Sequence, residues 1–140
     1  MILGRFKEER FAILEAIKEE LRKRNYLPIL FDFEGPKSKD TTGTIETLAN
    51  LSRFIIADLT DPSCIPFEFG MIVKGLRRTP IQSLIQKGNR PFAMFKDMED
   101  TLPWVLPIHE YESKEQLIES IHEAVIQPYK DKVKELRPKD

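Results

Sequence analysis

The sequence predicts a three-layer α/β sandwich, in which helices cover both faces of a parallel sheet. Segments with apolar residues at helical spacing alternate along the chain with short runs rich in β-branched and aromatic residues. The run at residues 54–58 is apolar up to its final acid, which is typical of a strand buried on both faces. With right-handed crossovers, this alternation predicts a flavodoxin-like, parallel five-stranded sheet of order 2-1-3-4-5.

The first half of the chain predicts two helices around a strand. A helix over residues 7–24 is indicated by an apolar face, and Asn25 is a suitable stop. A strand at residues 27–31 leads to Asp32, and a polar loop with Gly and Pro follows at residues 34–40. Thr42 or Gly43 is expected to cap the next helix, which extends to about Ser52.

In the second half, a helix over residues 66–76 begins with Pro66, because proline is tolerated in a first helical turn. A strand is expected at residues 81–85 and a short helix within residues 91–98. A fifth strand at 105–109 is flanked by prolines, which suits a sheet edge. The last helix starts near Ser113 and is interrupted by Pro128.

Composition limits the class of protein. The chain has 140 residues, 41% hydrophobic and 32% charged, which fits one domain with a single core. A formal net charge of −1 provides no global attraction to nucleic acid or an anionic membrane. Cys64 is the only cysteine, and no signal peptide or long apolar segment is visible, so a cytoplasmic protein is expected. Only three residues precede Gly4, so we expect a domain cut from a longer chain that lacks the start of its first strand.

A ligand crevice is expected where strand order reverses, between the carboxyl ends of the first and third strands. Gly4 allows close approach of the backbone, Arg5 supplies a positive charge suited to phosphate, and Phe6 suits stacking on a ring. These properties predict a nucleotide or dinucleotide ligand. The candidate binding residues are Gly4, Arg5, Phe6, Asp32, Phe33, Asp58, Thr60, Asp61 and Ser63.

Glu68 is the candidate catalytic residue. It lies between two phenylalanines, near the predicted helix start at Pro66. The simplest structural alternative is an acid that interacts favourably with the helix dipole.

The motif Ala57-Asp58-Leu59-Thr60, a short polar loop and Glu68-Phe69-Gly70 resemble the nucleoside 2-deoxyribosyltransferase-like and Toll/interleukin-1-receptor-like (TIR) superfamily. The resemblance covers most of the chain. It implies that a Glu at the start of the helix after the third strand acts on the anomeric carbon of a nucleoside or of NAD, and Glu68 matches that position. The loop at 35–43 resembles the mobile loop of TIR domains. Two departures from the TIR pattern bear on the substrate. Cys64 lies four residues before the Glu, whereas many enzymatic TIR domains place a Cys three residues before it. Gly4-Arg5-Phe6 replaces the aromatic or Ser-rich segment that many TIR domains carry after the first strand.

The chemistry expected of Glu68 is cleavage of an N-glycosidic bond, which proceeds through an oxocarbenium-like transition state. Nicotinamide leaves NAD as a neutral molecule, so one well-placed carboxylate is sufficient, and NAD is then a substrate and not a cofactor. A purine base generally requires protonation, for which Asp58 and Asp61 are candidates; both are equally suited to capping a loop.

Three functions remain open: a TIR-like NAD glycohydrolase, a deoxyribosyltransferase or nucleoside hydrolase, and a non-catalytic signalling module that self-associates. His109 and His122 are too far apart in sequence to predict a metal pair, and no metal motif is present. Cys64 has no recognisable His partner for nucleophilic catalysis.

Overall fold

The computed structural model describes residues 1–32, 41–60, 70, 73–76 and 78–136. Its sheet has five strands: β1 (Ile2–Gly4), β2 (Leu30–Asp32), β3 (Ile55–Asp58), β4 (Ile81–Gln86) and β5 (His109–Tyr111). All the pairings are parallel, and the strand order is β2-β1-β3-β4-β5. The predicted fold class and strand order are confirmed.

The helices alternate with these strands. They are α1 (Glu8–Lys23), α2 (Thr41–Leu51), α3 (Phe95–Thr101), α4 (Lys114–Glu119) and α5 (Gln127–Leu136), with a π-helical turn at His122–Ile126 before α5. Gly70 and residues 73–75 are also helical, in agreement with the helix predicted over 66–76, whose first residues lie outside the described part.

Two apolar layers enclose the sheet. On one face, α1 packs with α4 and the π-helical turn, through fully buried residues that include Leu14, Ile17 and Leu117. On the other face, Ala49 of α2, Val73 and α3 residues Phe95 and Met98 are buried together. Each fully buried aliphatic side chain contributes about 1.5–3 kcal/mol, so both layers hold the sheet in place.

The central strand β1 is only three residues long. Ile2 pairs with Leu30 on one side and with Ile56 on the other, so β1 is hydrogen-bonded to both neighbouring strands. The expectation that further chain precedes this strand stays a prediction.

Helix α1 ends where the sequence indicates. Asn25 adopts a left-handed conformation (φ 68°), which asparagine tolerates better than most residues. The Tyr26 N–H donates to the Leu21 carbonyl, and the Asn25 N–H donates to the Arg22 carbonyl, both at 3.0 Å. This pair of hydrogen bonds is a Schellman motif, and it satisfies carbonyls that the helix end leaves open.

Two strands begin later than the sequence predicts. Strand β2 begins at Leu30 because its pairing with β1 begins at Ile2, and Leu27 is 86% exposed. Strand β5 begins at His109, and Val105 forms only an isolated bridge with Ile81. Between them, Pro107 has no N–H to donate to a ladder.

The last helix is not interrupted at Pro128, contrary to the prediction: a π-helical turn precedes this residue, and α5 runs through it. Pro128 is the second residue of α5 and cannot donate a hydrogen bond to the preceding turn. The wider π-helical turn at His122–Ile126 lies immediately before it, and the chain then continues as a helix to Leu136.

Replacement of Gly4 by alanine is expected to destabilise the fold, because an added Cβ would lie 2.8 Å from both terminal methyls of the fully buried Leu14. We expect a loss of about 1–3 kcal/mol, measured by urea denaturation. Gly75→Ala is the control, since nothing lies within 4 Å of its added Cβ. Equal denaturation midpoints for the two variants would contradict the close packing of β1 against α1.

Candidate functional site

The carboxyl ends of β1 and β3 form the topological switch point of the sheet. After β1 the chain enters α1 on one face, whereas Val73 and Leu76, which follow β3, are buried on the opposite face. Neighbouring strands whose connections diverge leave a crevice between them, which is the usual ligand site of open α/β sheets. The strand order on which the predicted crevice depends is therefore confirmed.

The loop between β1 and α1 forms one side of this crevice. The Phe6 N–H donates to Asp32 Oδ1 at 3.2 Å, which connects the loop to the end of β2. The Phe6 ring is 39% exposed and contacts the Phe11 ring edge-on, with centroids 4.9 Å apart. The Arg5 side chain is largely buried. The structure thus brings Phe6 and Asp32 together at the carboxyl ends of β1 and β2.

Gly4 has a packing role in addition to its predicted one. It is buried beneath α1, where Leu14 occupies the space that a side chain would fill. The expected approach of a ligand to the Gly4 backbone stays a prediction.

Asp58, at the end of β3, is held inside the protein. Its side chain is 1% exposed. Asp58 Oδ1 accepts hydrogen bonds from the Thr60 hydroxyl at 2.6 Å, the Thr60 N–H at 3.3 Å and the Tyr111 hydroxyl at 3.3 Å. These contacts orient the carboxylate and Thr60 into the protein, where they stabilise the carboxyl end of β3.

Arg10 completes this cluster from α1. Its Nη1 lies 3.4 Å from Asp58 Oδ2 and donates to the Tyr111 hydroxyl at 3.1 Å, and its Nη2 donates to Gln86 Oε1. The Gln86 N–H donates to Thr60 Oγ1 at 3.0 Å. We call Arg10, Asp58, Thr60, Gln86 and Tyr111 the Asp58 network.

Sequence reasoning missed Arg10, Gln86 and Tyr111. A signal for Arg10 was present, because it stands four residues before Leu14 and so occupies the apolar face of α1. An arginine on a core-facing stripe indicates a buried acidic partner. No comparable local signal exists for Gln86 or Tyr111, which reach the network only through the pairing of β4 with β5.

Burial controls the ionisation of the network. Burial raises the pKa of Asp58, while its hydrogen bonds with Thr60 and the positive charge of Arg10 act in the opposite direction. Burial, assisted by the charge of Asp58, raises the pKa of Tyr111 to about 12. Tyr111 therefore remains a hydrogen-bond donor at neutral pH. Proton donation by Asp58 to a leaving base stays a prediction.

The remaining candidate residues cannot be placed. Phe33, Asp61, Ser63 and Glu68 lie outside the described residues, as do Cys64 and the part of the 35–43 loop before residue 41. Within the described ranges, no cluster of three His, Cys, Asp or Glu side chains could hold a metal ion. None of the helices described is long and apolar enough to cross a membrane.

The fold and the crevice define an open, doubly wound α/β protein with a flavodoxin-like strand order. No known family model matches the chain, and no curated protein matches it.

The Thr60 hydroxyl is expected to be essential to the Asp58 network, because it donates to Asp58 and accepts from the Gln86 N–H. Thr60→Val preserves the shape but removes one of the three hydrogen bonds to Asp58 Oδ1 and leaves the Gln86 N–H without this acceptor, so we expect a loss of about 1–3 kcal/mol. Thr60→Ser retains the hydroxyl and should lose much less. Chemical denaturation measures both; a Val variant as stable as the Ser variant would contradict the role of the hydroxyl.

Asp58 is expected to leave a signature in the pH dependence of stability. Because its pKa is raised in the folded state, its contribution to the free energy of unfolding is present below the ordinary value of 3.8 and is lost as pH rises through the raised pKa. Asp58→Asn cannot ionise. The stability of this variant relative to the parent should therefore increase as the pH rises above the ordinary value of 3.8. Denaturation at several pH values tests this, and a falling difference would show that the pKa is lowered instead.

Proposed function

We propose that this protein binds a nucleotide in the crevice between β1 and β3, and that it cleaves NAD there with Glu68 as the catalytic carboxylate. The proposed binding site rests on the switch point of the sheet. The loop that carries Arg5 and Phe6 lies beside this point and is hydrogen-bonded to Asp32. The proposal of NAD cleavage rests on the resemblance of the Asp58 and Glu68 motifs to TIR-like enzymes.

The residues beside the crevice suit the two halves of a nucleotide. Arg5 and Phe6 are consecutive residues of the loop after β1, in which the Phe6 ring is 39% exposed and the Arg5 side chain is largely buried. A guanidinium matches the oxygens of a diphosphate, and an exposed ring offers a stacking surface for a base. The contacts of Phe6 with Asp32 and Phe11 restrict its loop before ligand binds, which lowers the entropic cost of binding.

The Asp58 network supports the opposite side of the crevice. It attaches the chain at Asp58 and Thr60 to α1, β4 and β5, immediately before the segment that leads to Glu68. A catalytic group is effective only when the elements that carry it are held in place. The network therefore has a positioning role in the proposed site.

In the proposed reaction, the bond between C1′ of the ribose and the nicotinamide nitrogen breaks, and its electron pair neutralises the pyridinium ring. Glu68 stabilises the oxocarbenium charge that develops at C1′. Water then adds to C1′ and releases its proton to solvent, which yields nicotinamide and ADP-ribose. No acid is needed for the leaving group, in agreement with an Asp58 whose oxygens are already engaged.

Glu68→Gln is expected to reduce nicotinamide release from NAD by about 10²-fold or more, because the amide cannot stabilise the positive charge. Release is measured by chromatography at several protein concentrations and with a crowding agent, since the TIR-like resemblance implies activation by self-association. Glu123→Gln, which changes an exposed acid on the π-helical turn, should retain full activity.

Binding is measured separately, by titration of NAD into the Glu68→Gln variant. Adding Phe6→Ala should weaken binding about tenfold through loss of stacking, whereas Leu27→Ala at the far end of the sheet should not. Binding without release would favour a non-catalytic nucleotide-binding module. Release of a base from nucleosides but not from NAD would favour the transferase or hydrolase alternative, and absence of binding would overturn the proposed crevice.

A further inference from the structure

Asp32 is the last residue of β2 and lies directly opposite Gly4 in the parallel pair of β1 and β2. It is half-buried, and its Oδ1 accepts a hydrogen bond from the Phe6 N–H at 3.2 Å. We propose that Asp32 determines which dinucleotide the crevice accepts: its carboxylate receives hydrogen bonds from the ribose hydroxyls of the adenosine half and rejects a 2′-phosphate on that ribose. The protein then binds NAD in preference to NADP. This inference rests on the nucleotide binding proposed above.

The strand order places Asp32 where the second ribose of a dinucleotide would lie. Strands β2 and β3 flank β1 on opposite sides, and neighbouring strands lie about 4.8 Å apart, so the ends of β2 and β3 are separated by about 10 Å. In the proposed complex, the cleaved ribose lies near the segment after β3, and the diphosphate lies over the loop between β1 and α1. The other ribose therefore extends toward the end of β2.

The Asp32 side chain lies on the α1 face of the sheet. Residues opposite each other in a parallel ladder share a face, and a Cβ added to Gly4, the partner of Asp32, would lie 2.8 Å from Leu14 of α1. The hydrogen bond from the Phe6 N–H agrees with this position, because Phe6 lies between the end of β1 and the start of α1. A base stacked on the Phe6 ring would therefore bring its own ribose toward Asp32.

Charge determines what this carboxylate accepts. A carboxylate has about four lone-pair sites, so it accepts hydrogen bonds from ribose hydroxyls while it holds the Phe6 N–H. A phosphate monoester, such as the 2′-phosphate of NADP, has acceptor oxygens and carries a charge of about −1.5 to −2 at pH 7. Because like charges repel, Asp32 selects for NAD through a favourable contact and against NADP through an unfavourable one.

The position of Asp32 is set before a ligand binds. All three residues of β2 pair with β1, and Asp32 is the last of them. The hydrogen bond to the Phe6 N–H attaches the carboxylate to the neighbouring loop. A binding group held in this way discriminates between ligands more sharply than one that moves away from a repelled charge.

The experiment measures the affinities of NAD and NADP by isothermal titration calorimetry in the full chain with Glu68→Gln, in which neither dinucleotide is expected to be cleaved. The two ligands differ only in the 2′-phosphate, so the ratio of their affinities isolates the contact with Asp32. We expect NAD to bind at least about tenfold more tightly than NADP. Equal affinities, or tighter binding of NADP, would overturn this inference and leave the nucleotide crevice intact. Binding of neither ligand would overturn the crevice, and the inference with it.

Variants separate the charge of Asp32 from its hydrogen bond. Asp32→Asn removes the charge but keeps an amide oxygen for the Phe6 N–H, so the preference for NAD should fall to about threefold or less, mainly because NADP binds more tightly. Asp32→Glu retains the charge and should keep a preference for NAD. Asp131→Asn is the matched control, because it changes an exposed aspartate on α5 and should alter neither affinity. An unchanged preference in Asp32→Asn would overturn the inference and leave Asp32 with the loop contact alone.

Salt tests the same contact without a change to Asp32. Screening weakens the repulsion between charges, so the preference for NAD should fall as the ionic strength rises from about 0.02 M to about 0.5 M. Phe6→Ala should weaken NAD and NADP by the same factor, because its ring would stack on a base that both ligands share. Amide spectra of each variant verify the fold. A preference that grows with salt would overturn selection by charge.

Discussion

The rest of the carboxyl edge depends on one buried carboxylate. A carboxyl group away from water requires hydrogen-bond partners, and those around Asp58 come from separate elements: Arg10 from α1, Thr60 from the chain after β3, and Tyr111 from β5. Gln86 of β4 connects Thr60 with Arg10. Because a partly satisfied network costs more than a complete one, these elements must assemble together, and their relative positions follow from that requirement.

The two edges of the sheet consequently differ in character. At the carboxyl edge, the polar groups of the Asp58 network are hydrogen-bonded to one another. The neighbouring loop, which carries Arg5 and Phe6, is hydrogen-bonded to Asp32. The amino edge has apolar side chains in contact with water, including Leu27 and Leu51.

Local sequence patterns predicted which helices and strands form better than they predicted the residues at which each one begins. The apolar face of α1 and the run before Asp58 each reflect burial, which is the strongest local signal in a sequence. The starts of β2 and β5 were wrong because a strand exists only where a neighbour pairs with it. Leu30 is the first residue of β2 with a β1 partner, and Pro107 blocks the earlier start of β5. The proximity of Phe6 and Asp32 was predictable because strand order alone places the ends of β1 and β2 side by side.

Sequence was sufficient for the α/β class and the strand order, since these follow from periodicity and from the handedness of crossovers. Only the folded chain could decide what surrounds Asp58. Its contacts with Arg10 and Tyr111 span 48 and 53 positions of sequence, and no local pattern specifies such pairs.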